Sequence, residues 1–265
     1  RVVSINQKPI GRTPRSNLAT YTGFFDDVRR LFAATRAAKS HHYSASRFSF
    51  NVKGGRCPTC EGEGFVCVEL LFMPSVYAPC PTCHGTRYQE STLQVQYRGK
   101  NIAEILGQSV DEACRFFADQ SAVHRPLKLL QAIGLGYLRL GQPATELSGG
   151  EAQRVKLATE LQRIARGGTL YIIDEPTIGL HPADVDKLMI QIQALVDAGN
   201  TVIVAEHEMR VAAAADWVID LGPGAGDAGG RIVIAGTPQT VAAHTASKTA
   251  AYLVPLLAAS PPGTP

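Results

Sequence analysis

The chain has 265 residues, of which 45% are hydrophobic and 18% charged, with a net charge of +3. This composition is typical of a globular protein with one large domain or two smaller ones. It contains no apolar run near the ~20 residues of a membrane span and no apolar secretory signal at its start. We therefore expect a cytoplasmic protein without a membrane partner. Because the chain opens on a strand-like "VVSI" without an initiator Met, we also expect it to be a fragment.

The first half of the chain predicts short elements around a cysteine-rich segment. Apolar residues at helix spacing, Phe24, Val28, Leu31 and Phe32, predict the first helix. In order, the predicted elements are a strand at "VVSI", a helix over 24–36, a Gly-, Cys- and Pro-rich segment over 50–90, a strand over 92–98, and helices near 109–118 and 126–133.

The second half predicts alternating helices and strands. A helix over 149–166 is followed by a strand at "TLYIID", a helix over 182–198 and a strand at "TVIVAEH". This alternation is typical of βαβ units with a parallel sheet. Beyond them, "WVIDLG" and "GRIVIAG" flank a Gly-rich loop and predict paired strands, and "AASPPGTP" predicts a disordered tail.

Four of the six cysteines form two C-x-x-C pairs, Cys57–Cys60 and Cys80–Cys83. Two such knuckles can supply four thiolates to a tetrahedral zinc ion, and nineteen intervening residues suit that arrangement. A redox function would need one active pair, so we predict a structural Zn²⁺ site. Cys67 and Cys114 have no partner pattern, and we expect both to be buried small hydrophobes.

Basic and aromatic residues are interleaved around the cysteines. Such a surface suits a nucleic-acid backbone with stacked bases, but a solvated face above core aromatics explains the same composition. Both interpretations stay open. The candidate DNA-binding residues are Lys53, Arg56 and Arg87, with Arg98, Lys100, Phe48, Phe50, Phe65 and Tyr88 nearby.

The first knuckle also fits the C-x-x-C-x-G-x-G unit of DnaJ-type chaperones. The second knuckle departs from it, because Arg87 stands where the second glycine belongs. Those chaperones carry four such units and this chain has two, so a chaperone-like zinc domain is a distant alternative.

Acidic residues follow the buried strand "LYII". Asp174 can hold Mg²⁺ beside a phosphate chain, and Glu175 can orient or deprotonate an attacking water. His207 ends the next strand of the predicted parallel sheet, and such strands end at the edge where open α/β sheets bind ligands. These three residues predict a nucleotide site.

The stretch "LSGGE", Leu147 to Glu151, precedes a predicted helix. Ser148 and Glu151 complete a capping box. Gly149 and Gly150 are not needed for capping, and they allow a phosphate to approach the helix N-terminus. The phosphate-loop pattern G-x-x-x-x-G-K-[ST] does not occur in the 265 residues.

Together these motifs resemble the ATP-binding-cassette ATPases, and within them the C-terminal half of the UvrA family. The resemblance lies in "VVSINQKPIGRTPRSNLATYTG", "RFSFNVKGGRCPTCEGEG", "LGQPATELSGGEAQRVKLATEL", "LYIIDEPTIGLH", "GNTVIVAEH" and "ADWVIDLGPGAGDAGG". It covers nearly the whole chain except the tail.

The resemblance assigns roles to matching residues. It implies that Gln7 is the glutamine-loop residue, Leu147 to Glu151 the signature, Asp174 the Mg²⁺ aspartate, Glu175 the catalytic glutamate and His207 the switch histidine. It also implies that the four cysteines bind the zinc of a module that engages DNA. The implied cofactors are ATP, Mg²⁺ and Zn²⁺.

The implied fold is an α/β, incomplete ATPase lobe with a parallel sheet and an inserted helical signature region that carries a small four-cysteine zinc module. The expected divisions are 1–20 (end of the ATPase core), 21–145 (insertion, with zinc module at about 48–90), 146–245 (ATPase lobe) and 246–265 (tail, partly disordered).

The implied function is part of a DNA-damage-recognition ATPase of bacterial nucleotide excision repair. Its expected partners are damaged double-stranded DNA, a second cassette from the same protein or a dimer mate, and a UvrB-type repair protein. We expect little ATP hydrolysis by this chain alone. Two alternatives stay open: a zinc and DNA-binding module without hydrolysis, and a UvrA-like drug-resistance paralogue, which Ile178 in "PTIGLH" and the sequence "AEHEMRV" favour.

Overall fold

The computed structural model describes residues 1–70, 72–163, 167–224 and 229–259. The chain forms two compact units. The first combines Arg1–Ile173 with Ile178–Ile203, and the second combines Asp174–Thr177 with the chain from Val204 onward.

A parallel sheet has the strand order β1 (Val2–Ile5), β6 (Leu170–Asp174), β7 (Thr201–Ala205). Strand β1 pairs with β6 in parallel, with Ile5 opposite Ile173. Side chains alternate along these strands, so Ile5, Tyr171 and Ile173 lie in the core. The predicted α/β fold with a parallel sheet is confirmed.

The helices of the first unit surround one hydrophobic core. In α9 the buried positions Val185, Leu188, Ile192 and Leu195 recur at helix spacing, Pro182 starts the helix and Gly199 follows its end with φ +83°. In contrast α8, the helix after "LS", is buried on several sides, which is unusual for a surface helix. The helices are α1 (Leu18–Tyr21), α2 (Phe25–Ala33), α3 (Arg36–Ser40), α4 (Glu90–Leu93), α5 (Ile102–Gly107), α6 (Val110–Phe116), α7 (Ser121–Ala132), α8 (Gly149–Gln162) and α9 (Pro182–Asp197).

The cysteine-rich segment contains an antiparallel hairpin of β2 (Phe65–Leu70) and β3 (Met73–Pro79). The strand predicted over 92–98 is wrong for most of its length. Residues Glu90–Leu93 form the helical turn α4, and the strand is limited to β4 (Gln96–Tyr97), paired with β5 (Lys100–Asn101). The Thr92 hydroxyl is buried and donates to the Gly55 carbonyl, and this tertiary contact favours the helical turn over the alternating pattern.

The second unit contains the predicted strand pair, β8 (Val218–Gly222) and β9 (Arg231–Gly236), which is antiparallel. Its helices are α10 (Met209–Ala214), α11 (Pro238–Ala242) and α12 (Ala250–Ala259). Helix α12 lies within the segment expected to be a tail, whereas residues 260–265 lie outside the described residues. Among the described residues, no helix combines the length and apolarity that crossing a membrane requires.

Candidate metal and nucleotide sites

The four cysteines of the two knuckles converge into one cluster. The Sγ atoms of Cys57, Cys60, Cys80 and Cys83 all lie within 4.8 Å of one another, and all four residues are buried. Burial is the largest influence on the pKa of the Cys60 and Cys83 thiols, and it raises both. Four close, buried thiols would repel one another once deprotonated, and a divalent cation removes that repulsion. The cluster therefore has the donor set and closeness of a structural zinc site.

The two knuckles have matching backbones. Glu61 and His84 share φ +49°, and Gly62 and Gly85 have φ +87° and +86°. The Gly64 amide donates to the Cys60 sulfur at 3.3 Å. At Gly62 an added Cβ would lie 1.8 Å from the Phe50 carbonyl oxygen, so no larger residue fits there. These turns direct backbone amides toward the thiolates, which stabilises their charge.

The three candidate DNA-binding residues differ in solvent exposure and in the partners of their side chains. Lys53 is exposed, whereas Arg56 is half-buried and forms an ion pair with Glu61 at 3.2 Å. Arg87 is 4% exposed, and its guanidinium donates to backbone carbonyls. A group that is already desolvated and hydrogen-bonded inside the protein cannot contact a DNA backbone, so its position contradicts the expectation for Arg87.

Most of the nearby aromatic residues are part of the core. Phe48, Phe50 and Tyr88 are buried, and the Tyr88 hydroxyl donates to the Phe48 carbonyl at 2.8 Å. For these three the core interpretation is correct. The exposed aromatic residues lie instead on the β2–β3 hairpin, at Tyr77 and at Phe72, which is 97% exposed.

The two remaining cysteines differ in burial. Cys114 is buried, as predicted, but the expectation for Cys67 is wrong because it is exposed on β2. Consecutive side chains of a strand point to opposite faces, and Cys67 and Val68 are both exposed, so the β2–β3 hairpin is open to solvent on both faces at this point.

The predicted catalytic residues of the second unit lie together. The Glu175 amide donates to the Ala205 carbonyl at 2.8 Å, and Glu175 has φ +45°, which is rare outside glycine. This turn brings Glu175 Oε1 to 3.6 Å from His207 Nδ1. Both side chains are largely exposed, while Asp174 ends β6 directly before them. The arrangement is an open pair of acid and imidazole next to a strand-end carboxylate.

Glu206 holds this turn in place, although no motif in the sequence singled it out. Its side chain is 4% exposed. It accepts hydrogen bonds from the Thr177 amide at 2.9 Å, the Thr177 hydroxyl, the His207 amide at 2.8 Å and the Glu208 amide at 3.1 Å. Burial alone would raise the pKa of Glu206, but these donors outweigh it, so the pKa lies below the usual 4.5. The buried carboxylate thereby joins the segment after Glu175 to the segment that carries His207.

In the first unit the signature begins α8 as a capping box. Ser148 Oγ accepts from the Glu151 amide at 3.3 Å, and Glu151 Oε2 accepts from the Ser148 amide at 2.7 Å. Tyr137 also donates its hydroxyl to Glu151 Oε1. Glu151 is thus occupied in fixing the helix start, which leaves the backbone of Ser148 and Gly149 accessible, whereas Gly150 is buried.

Side chains of α8 hold the loop that carries Gln7. Gln153 Nε2 donates to the Ile5 carbonyl at 3.0 Å, and Lys156 Nζ donates to the carbonyls of Asn6 at 2.9 Å and Lys8 at 2.6 Å. An added Cβ at Gly149 would lie 3.1 Å from the Gln7 Cβ and Oε1 atoms. The signature helix therefore sets the position of Gln7, and glycine at position 149 is what allows their close approach.

The helix predicted over 149–166 contains several basic residues, and those that the structure describes have internal partners. Arg154 is buried and donates to the Ile178 carbonyl at 3.3 Å, which ties α8 to the loop before α9. Arg163 pairs with Glu160 at 3.0 Å. The last of them, Arg166, lies outside the described residues.

Known proteins resemble this chain over nearly its whole length. The UvrABC system protein A of Thermus thermophilus is 57% identical over 261 residues, which are 98% of this chain and 27% of that protein. The namesake protein of Aquifex aeolicus is 56% identical over 253 residues, 96% of this chain and 27% of that protein. The crystal structure of UvrA2 from Deinococcus radiodurans superimposes with a TM-score of 0.91 and 68% identity, over 97% of this chain and 32% of that one.

The chain belongs to the UvrA family. No protein-family model matches it. It spans about a quarter of the length of the two UvrABC system A relatives and 32% of the crystallised UvrA2. The residues of "LSGGE", "IIDEP" and the four cysteines therefore lie in a UvrA framework that the structure reproduces, whereas the activity of a whole UvrA involves more chain than is present here.

We expect one zinc ion per chain, bound by the four clustered cysteines. Replacing Cys80 with Ser should remove the metal, because tetrahedral sites of this kind need all four thiolates. Replacing Cys67, which is exposed outside the cluster, should leave the zinc content unchanged. Elemental analysis of the freshly purified proteins measures the ratio. A metal-free wild-type chain, or equal loss in both variants, would contradict the assignment.

We expect Glu206→Gln to destabilise the second unit by about 1–3 kcal/mol at pH 7, because buried amide donors lose a charged acceptor. A folded-state pKa below 4.5 means that the carboxylate stabilises the fold above that pH and stops doing so as the pH falls through the lowered pKa. The difference between wild type and variant should therefore shrink toward pH 3.

Urea unfolding followed by the fluorescence of Trp217, the single tryptophan, measures the stability difference between wild type and Glu206→Gln. Trp217 lies in the second unit, as Glu206 does. Asp216→Asn, a change at an exposed acid of the same unit, is the matched control and should show no such pH dependence. A difference between Glu206→Gln and wild type that stays constant from pH 7 to pH 3 would refute the role of the charge.

Proposed function

We propose that this chain supplies the C-terminal part of a UvrA-type ATPase that couples ATP binding and hydrolysis to DNA binding in nucleotide excision repair. The observation that supports this proposal most directly is the arrangement of Asp174, Glu175 and His207 at the ends of neighbouring strands. Glu175 and His207 lie 3.6 Å apart on a turn held by the buried carboxylate of Glu206. Sequence identity of 56–57% to UvrABC system A proteins adds independent support.

In this proposal each residue acts on ATP held by a phosphate loop outside the present sequence. Asp174 would bind Mg²⁺, which neutralises charge on the phosphates during transfer. Glu175 orients the attacking water and accepts its proton, and His207 donates a hydrogen bond toward the terminal phosphate. Gln7, placed by α8, would supply a side-chain amide oxygen to the metal and the attacking water. Ser148, Gly149 and Gly150 close on a nucleotide bound by the second cassette, so this chain contributes to two composite sites.

The zinc module is the proposed DNA contact. Lys53 is exposed beside the first knuckle, and Phe72 and Tyr77 are exposed on the adjoining hairpin. A cation for phosphate together with aromatic rings for bases is the combination that nucleic-acid surfaces use. Arg87 has no place in this contact because it is buried.

The wider setting belongs to the same proposal. We infer damaged double-stranded DNA as the substrate, a second cassette and a UvrB-type protein as partners, and the cytoplasm as the location.

A second candidate is a UvrA2-type paralogue, which the 68% identity to UvrA2 favours. Comparable affinity for damaged and undamaged duplexes would favour this paralogue over the repair protein.

The ATPase role is testable in a chimera in which this chain replaces the matching 261 residues of the Thermus thermophilus protein. We expect ATP turnover, and we expect Glu175→Gln to lower it by at least ~100-fold, the range for a lost general base, with ATP still bound. Glu208→Gln, a change at an acid of the same unit that caps α10, is the matched control. Undiminished turnover in Glu175→Gln would disprove the catalytic assignment, and Glu175-dependent turnover by the 265-residue chain alone would disprove the composite site.

The DNA contact is testable in the chain itself. Duplex binding should weaken steeply with salt, and Lys53→Glu should lower affinity and reduce the slope of log K against log salt by about one. Lys248→Glu, an exposed lysine of the other unit, should change neither quantity by as much. Fluorescence anisotropy with labelled duplex measures both. Equal slopes in wild type and Lys53→Glu would remove Lys53 from the contact.

A further inference from the structure

Arg87 occupies a backbone position that favours glycine. The two knuckles share positive φ at three equivalent positions, and at the third Gly64 of the first knuckle, with φ +79°, corresponds to Arg87 of the second, with φ +73°. A residue with a Cβ is strained in this region of conformational space. The first knuckle shows that glycine meets the needs of the turn, so the arginine is present for its side chain.

That side chain joins three segments of the chain. Arg87 Nη1 donates to the Pro14 carbonyl at 2.9 Å and to the Gly62 carbonyl at 3.4 Å, and Nη2 donates to the Gly141 carbonyl at 3.2 Å. The guanidinium also lies 5.2 Å from the centre of the Phe50 ring. A planar fork with several fixed donors suits such a three-way link, whereas a lysine would not reach all three acceptors.

The three acceptors belong to functionally different places. Gly62 is part of the first zinc knuckle, Pro14 lies on the segment that follows Gln7, and Gly141 lies on the segment that leads into the signature. The last two segments are joined, since the Ala144 amide donates to the Ser16 carbonyl at 2.7 Å. A displacement of the knuckle would therefore be passed through Arg87 to both sides of the nucleotide-site framework.

Beside the Arg87 contacts, an open cleft lies between the zinc module and the helical region. Its volume is about 730 Å³, and its walls are formed by the second knuckle at His84 to Arg87 and by residues that include Glu104, Arg139 and Gly141. An open space between two walls allows relative movement, which close packing would resist. The Nη2–O bond from Arg87 to Gly141 joins the walls, so movement of the module pulls on the segment before the signature.

We propose that Arg87 is a positioning residue that couples the state of the zinc module to the segments carrying Gln7 and the signature. The link to ATP turnover rests on the function proposed above, whereas the mechanical link can be tested without it. Arg87 contacts neither DNA nor nucleotide in this arrangement. It transmits a change in the module to residues 140–147 and 14–16.

The test uses the 265-residue chain and amide hydrogen exchange in two arms. The first arm compares the zinc-depleted chain with the same chain after Zn²⁺ is returned, and the second compares the zinc-loaded chain with and without duplex DNA. Wild type should show slower exchange at residues 140–147 in both arms, on the order of tenfold for the loss of charged hydrogen bonds. Arg87→Gly should show protection of the zinc module alone, with zinc content and DNA affinity preserved.

Arg87→Gly is chosen because it makes the second knuckle match the first and removes the backbone strain. Arg98→Gly is the matched control, since Arg98 also has a positive φ, +51°, but pairs with Asp119 on the surface. It should respond as wild type does. Protection of residues 140–147 in Arg87→Gly equal to that in wild type would overturn the proposal.

The two arms separate this proposal from the proposed function. A wild-type chain that binds no DNA but protects residues 140–147 on zinc binding contradicts the function and supports the link. A chain that binds DNA while neither zinc nor DNA alters exchange at residues 140–147 overturns the link and leaves the function intact. If Arg87→Gly loses zinc, Arg87→Lys, which keeps the charge but cannot reach all three carbonyls, replaces it in both arms, and protection of residues 140–147 equal to that in wild type overturns the proposal.

Discussion

Cationic side chains that bind backbone carbonyls, two of them buried, join separate segments of the first unit. Lys156 binds the carbonyls of Asn6 and Lys8, Arg154 binds that of Ile178, and Arg87 binds those of Pro14, Gly62 and Gly141. The loops at the ends of strands contain carbonyl groups that no ladder satisfies, and leaving them unpaired inside a protein is costly. A cationic side chain satisfies several carbonyls at once, and the carbonyl dipoles in turn replace the water that the cation has lost. The loop that carries Gln7, the loop before α9 and the segment before the signature are each held by one of these links.

The second unit solves the complementary problem with an anion. There the groups that need a partner are the backbone amides of Thr177, His207 and Glu208. The buried Glu206 carboxylate accepts a hydrogen bond from each of them. The capping box of Ser148 and Glu151 applies the same chemistry at the start of α8. Charges that the sequence presents as candidates for ligand binding are in several cases used to satisfy the backbone. The groups left to a ligand are those beside these anchors, such as Glu175, His207 and the glycines of the signature.

The sequence predicted the features that depend on local pattern. Helix α9 followed from apolar residues at helix spacing, and strands β6 and β7 followed from short apolar runs that end in charged residues. The convergence of the four cysteines followed from the two C-x-x-C pairs, because two such pairs are the usual way to supply four thiolates to one zinc ion. Features set by distant contacts were not predictable. The roles of Arg87, Lys156 and Glu206 depend on carbonyls and amides up to 150 positions away, and the helical turn α4 depends on the carbonyl of Gly55. The exposure of Cys67 depends on how much of the β2–β3 hairpin the rest of the fold covers, and both faces are open at this residue.

Backbone strain shows where side chains matter most. Glu175 and Arg87 each combine a left-handed backbone with a side chain that has a specific partner, as do Glu61 and Arg98 among the more exposed residues. Glycine would relieve the strain at each position, on the order of 1 kcal/mol or more, and would keep the turn. At Glu175 the left-handed turn lets the amide bond to Ala205 while the carboxylate faces His207. At Arg87 the same conformation sends the guanidinium across to Gly141. Strain of this kind persists only where surrounding contacts fix the conformation, and here those contacts come from the buried charges. The links that satisfy the backbone are therefore also the links that hold the two strained residues in their working positions.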